Sequence, residues 1–76
     1  MQNYAIKIGE IIKQRRELLG LLQPQLSELS GVSTRTIQLV EQGKGNPSLD
    51  TLLKLAEPLG LFPMLLLKDT TKIDAS

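Results

Sequence analysis

The sequence predicts an all-α domain, a bundle of four to five helices. Three observations point there. Apolar residues recur at three- and four-residue spacings in successive segments rather than alternating. Segments open on serine or proline and close on glycine, the usual helix start and stop signals. Little of the chain reads as strand.

The first helix rests on Ile8, Ile11, Ile12, Leu18 and Leu19, which fall at helical spacings before Gly20. It is expected over residues 5–19. Residues 23–30 form a second, short helix. Pro24 suits its first turn, Leu26 and Leu29 face inward, and Gly31 stops it. Ser33 caps a third helix over residues 34–42, with Ile37 and Val40 inward and Gly43 just past the end. Residues 43–47, rich in Gly, Asn and Pro, form a turn.

Ser48 caps a fourth helix over residues 49–59. Asp50 complements the dipole in its first turn, and Leu49, Leu52, Leu55, Ala56 and Leu59 form the buried stripe. Pro58 removes a donor near the end, so the last turn should kink or stop. Residues 61–67, "LFPMLLL", divide between a short strand and a fifth helix begun by Pro63. A helix there is apolar on every side, and Phe62 is a poor cap. A strand needs an edge to pair with, and Pro63 offers no N–H. The strand is the preferred reading. Residues 1–68 make one domain whose end serves dimerisation, and residues 69–76 are a polar, flexible tail.

Composition narrows the function. The chain of 76 residues has no cysteine and no histidine, so the commonest general base and metal ligands are missing. No cofactor is expected. Net charge is +1, but residues 1–44 carry six basic against four acidic side chains, a net +2. A basic face must therefore arise by folding. No stretch is apolar and long enough to span a bilayer, and the N-terminus lacks the apolar core of a signal peptide. A cytoplasmic protein is expected. Glu10, Glu17 and Glu28 read as surface carboxylates, and Ser30, Ser33 and Ser48 as caps or turn residues without a base beside them. Gly43-Lys44-Gly45 lacks the Walker spacing for a phosphate loop. An enzyme is not expected.

The informative unit is the second helix, the turn Gly31-Val32-Ser33, and the third helix: a helix-turn-helix. Gly31 permits a left-handed turn, Val32 plugs the angle between helices, and Leu26, Leu29 and Ile37 supply the shared core. Thr34, Arg35, Gln38 and Leu39 are left on the outer side of the third helix. An α-helix fits the DNA major groove, where hydroxyl, amide and guanidinium groups meet base edges.

Residues 8–61 resemble the Xre/Cro/C1-type helix-turn-helix family, which includes phage repressors. The resemblance rests on R-x6-Q (Arg16, Gln23), L-x2-L-S-G-V-S (26–33), I-x3-E-x-G-K (37–44), N-P-S-L (46–49) and L-x2-L-A (52–56). It implies a lambda-repressor-like fold of five helices and a homodimer on an inverted-repeat DNA operator, repressing transcription. By position it makes Thr34, Arg35, Gln38 and Leu39 base readers. Gln23, Ser33, Thr36, Lys44 and Asn46 fall among phosphate contacts. Arg16 and Glu41 match a partly buried salt bridge tying the first helix to the third. Arg15 divides evenly between a backbone contact and a bland surface side chain.

Leu22 departs from the pattern. The family usually has Thr, Ser or Asn there, and leucine cannot cap, at a cost of about 1 kcal/mol. The tail, "LGLFPMLLLKD", resembles HipB-type antitoxins more loosely. That resemblance implies a C-terminal strand paired across the two-fold, with Leu61, Phe62, Met64, Leu65, Leu66 and Leu67 in the dimer contact, and a HipA-like kinase toxin as partner. DNA binding also implies a nucleoid-associated location. An antitoxin that neutralises a toxin by direct contact is therefore the alternative function.

Overall fold

The computed structural model describes residues 4–65. Four helices follow one another: α1 (Tyr4–Leu18), α2 (Gln23–Ser30), α3 (Thr34–Glu41) and α4 (Leu49–Leu59). The boundaries match expectation within one residue, the usual latitude at helix ends. Among the described residues there is no strand. Residues 61–65 form neither strand nor helix, which corrects the preferred reading of that segment. The reason is physical: no other strand in the described chain offers an edge, and Pro63 lacks a donor. Leu66, Leu67 and the tail 69–76 lie outside the described residues.

α1 and α2 each pack against both α3 and α4. The core holds Ile12, Leu26, Val32, Ile37, Val40, Leu55 and Leu59, with Leu21, Leu52 and Leu61 packed at its margin. Leu26, Ile37, Leu55 and Leu59 are fully buried. Each such side chain stabilises the fold by about 2 kcal/mol relative to exposure.

Burial falls short of the apolar spacing at three places. Of the five apolar residues that marked the first helix only Ile12 is buried, while Ile8, Ile11, Leu18 and Leu19 are exposed. The face that meets the core is Gly9, Ile12 and Arg16 instead. Gly9 allows close approach: a Cβ there collides with the Val40 carbonyl and lies 3.0 Å from that of Glu41. Leu29 is 61% exposed rather than core. It sits in the last turn of α2, beside Leu53 and Pro58 in an open depression. Leu49, first residue of α4, is also exposed. The helix ends overhang a core too small to cover them.

α4 passes through Pro58 and ends one residue later, so the proline marks the stop as expected. Arg15 resolves to a structural role: its Nε donates to the Leu59 carbonyl at 2.8 Å, satisfying an end-of-helix acceptor.

Candidate nucleic-acid interface

The helix-turn-helix is built by local rules. Gly31 adopts φ +77°, and its N–H donates to the Ser27 carbonyl to close α2. Any other residue is strained there. Val32 turns back into the core. Ser33, in extended backbone, accepts from the Thr36 N–H at 3.1 Å and caps α3. At the far end, Gly43 donates to the Val40 carbonyl and Lys44 to that of Leu39, the paired closure of a Schellman motif. Gly43 is left-handed at φ +72°, and this aims the loop 43–47 back alongside α3.

A helix turns about 100° per residue. Ile37 and Val40 therefore pin one side of α3 in the core. Arg35 and Gln38 stand on the opposite side, exposed, and neither side chain makes a hydrogen bond or ion pair among the described residues. Thr34 and Leu39 are half-buried at the margins of this face. Gln42 also belongs to it. It is the C-cap of α3, exposed, four residues after Gln38 and seven after Arg35. The helical period carried that signal, but the sequence motif drew attention to the start of the helix.

The five phosphate candidates flank the face on two sides. Thr36, Lys44 and Asn46 come together with Leu39 around one shallow depression formed with Gly45 and Pro47. Ser33 Oγ donates to Thr36 Oγ1 at 2.9 Å, so the Thr36 hydroxyl keeps its own proton for an outside acceptor. Ser33 is committed to capping. Gln23 is on the other side of α3, where its amide Nε2 donates to Glu41 Oε1 at 3.1 Å.

Behind Gln23, Arg16 and Glu41 form the expected bridge between α1 and α3. Arg16 Nε lies 2.7 Å from Glu41 Oε2 and Nη2 2.9 Å from Oε1, a bidentate pair. The side chains are 10% and 4% exposed. The hydrogen bonds that Arg16 donates to Glu41 raise the Arg16 pKa above its ordinary value. Leu22, at the N-cap of α2, makes no side-chain cap, as expected of leucine. The backbone partly compensates: the Leu22 N–H donates to Gln25 Oε1 at 2.8 Å.

No group of acidic side chains among the described residues is placed to hold a metal ion. No helix among them is long and apolar enough to cross a membrane.

This arrangement, two short helices about a left-handed glycine turn with a polar outer face, is that of a family. The chain belongs to the helix-turn-helix family of Xre/Cro/C1 type; the family's model matches residues 12–65. That family comprises DNA-binding transcription regulators and is not an enzyme class. Among relatives, an uncharacterized HTH-type transcriptional regulator of Haemophilus influenzae is 51% identical over 53 residues, covering 70% of this chain and 53% of its own length. The HTH-type transcriptional regulator PuuR of Escherichia coli is 34% identical, with 80% of this chain and 33% of PuuR covered. The chain thus spans about half the length of the first relative and a third of the second. In three dimensions it is similar to the restriction-modification controller protein C.AhdI of Aeromonas hydrophila. That match has a TM-score of 0.74 and 34% identity, covering 80% of this chain and 92% of C.AhdI.

Proposed function

We propose that the chain is a sequence-specific DNA-binding transcription regulator, a repressor acting as a homodimer. Each α3 enters a major groove of an inverted-repeat operator, with half-sites about 34 Å apart. The observation that carries this reading is the outer face of α3: Arg35 and Gln38 are exposed and uncommitted while Ile37 and Val40 fix the opposite side. Thr34, Leu39 and Gln42 complete the reading face. A half-buried Leu39 suits the thymine methyl, the apolar feature of the groove. Gln23, Thr36, Lys44 and Asn46 meet phosphates on either side. Phosphate contacts supply much of the affinity and its salt dependence, and base contacts supply the sequence preference. The chain works in the cytoplasm, on the nucleoid.

Selection of bound sequences from a random DNA pool at a stated salt concentration tests this. A palindromic consensus is expected. Recovery of no consensus above background removes the sequence-specific reading.

A second reading assigns the apolar groove to a different partner. Phe62, Met64 and Leu65 are exposed beside an apolar groove that also includes Ile8, Ile11 and Leu52. An antitoxin could hold a kinase-like toxin there while repressing its own operon. Co-purification of a larger kinase-like protein with the native chain is the expected sign, and a chain that purifies alone from its own cells counts against it.

A further inference from the structure

Glu41 accepts three hydrogen bonds with two oxygens. Two come from Arg16 and one from the Gln23 amide. Arg16 Nη1 also donates to the Leu21 carbonyl at 2.8 Å, just before α2 begins. One guanidinium therefore fixes both the carboxylate on α3 and the entry to α2. The partner settles which end of the Gln23 amide is nitrogen, because only its NH2 can donate to a carboxylate. One N–H is then engaged and the second is left over. A free glutamine loses rotamer entropy when a ligand immobilises it. Here most of that ordering precedes any ligand.

Glu41 itself is poorly suited to face a phosphate, being negative and almost fully covered. Arg16 cancels its charge, so an anion can approach Gln23 without net repulsion. We propose that Glu41 is a positioning residue for DNA affinity: held and neutralised by Arg16, it presents the second Gln23 N–H to the phosphate backbone. This rests on the DNA-binding reading above. The buried ion pair then acts on binding through a neutral side chain and not only on stability.

The test compares Gln23→Ala in two backgrounds, using the full chain and a duplex chosen from the random pool. One background is native. The other replaces the ion pair by apolar groups, Arg16→Met with Glu41→Leu, an exchange that often preserves stability. Gln23→Ala is expected to weaken native binding about tenfold, as for a hydrogen bond to a charged group. In the apolar background the loss should shrink to about twofold or less. Lys44→Ala serves as control: its loss should be alike in both backgrounds, and it should lower the salt slope by about 1, which Gln23→Ala should not. An equal Gln23→Ala loss in both backgrounds overturns the proposal. So does a parallel shrinkage of the Lys44→Ala loss, which marks a general loosening.

A second measurement needs no variant. In the free native protein, the Gln23 side-chain amide proton held by Glu41 should exchange more slowly with water than its solvent-facing partner, and both should shift when the duplex is added. Exchange as fast as that of the exposed Gln38 amide overturns the proposal. Native chain that binds no duplex at all removes the DNA reading itself, whereas binding with independent Gln23 effects removes only the positioning role.

Discussion

In the proposed DNA complex, Arg35 is the residue on which sequence preference turns. Its guanidinium is exposed, close to the start of α3, and suited to the paired acceptors of guanine. Arg35→Ala is expected to cost about 1–3 kcal/mol, concentrated at one base position. Competition with duplexes altered one base pair at a time measures this; an equal loss on every duplex assigns Arg35 to the backbone. Arg16 shows the opposite case, a charged residue withdrawn from the surface. Its folded-state pKa is raised, so its stabilisation is complete below the ordinary arginine value and lost only as pH rises through the higher one. The guanidinium therefore gives the fold no pH dependence in the neutral range. The Arg16–Glu41 pair and the exposed position of Arg35 were legible from motif spacing. The Gln23–Glu41 hydrogen bond was not, because it joins residues 18 apart that meet only when α2 and α3 pack.

At the scale of elements, α2 has the weakest start. Leu22 holds the extended backbone of an N-cap, φ −83° and ψ 159°, with no side-chain acceptor to use it. Leu22→Ser places an oxygen there without moving the chain. It is expected to stabilise the fold by about 1 kcal/mol in urea unfolding, and no change would show that Gln25 already does the work of the cap. At the α1–α3 crossing the backbones come close together. Gly9→Ala ordinarily favours a helix, yet here its Cβ meets the Val40 carbonyl. The helices must separate, and a loss of about 1–3 kcal/mol is expected. Gly31→Ala, where nothing lies in the way but φ is positive, should cost about 1–2 kcal/mol through backbone strain alone. A neutral Gly9→Ala would show that the crossing can relax. Caps and glycine stops made the helices readable in order. Gly9 was not readable, since a glycine inside a helix looks like a defect until the neighbouring helix is in place.

For the whole molecule, the decisive feature is apolar surface left over. Ile8, Ile11, Phe62, Met64 and Leu65 are exposed around one groove between α1, α4 and the segment after it. A monomer seldom leaves such a patch uncovered. In the proposed homodimer, Phe62→Glu is expected to shift the chain to monomer in sedimentation equilibrium and to weaken operator binding about a hundredfold, since two linked half-site contacts become one. Phe62 is 82% exposed, so the melting temperature of the single chain should barely move. A native chain already monomeric at micromolar concentration overturns the dimer.

By itself the sequence determined the four helices, the glycine turn between α2 and α3, and the polar start of α3. These follow from interactions within a few residues: capping, left-handed glycines and the helical period. Tertiary structure alone decided which apolar residues reach the core, that Gly9 rather than a leucine marks the α1–α3 contact, and that Gln23 leans on Glu41. It also decided that residues 61–65 run without regular structure, because a strand exists only where another backbone edge can complete its hydrogen bonds.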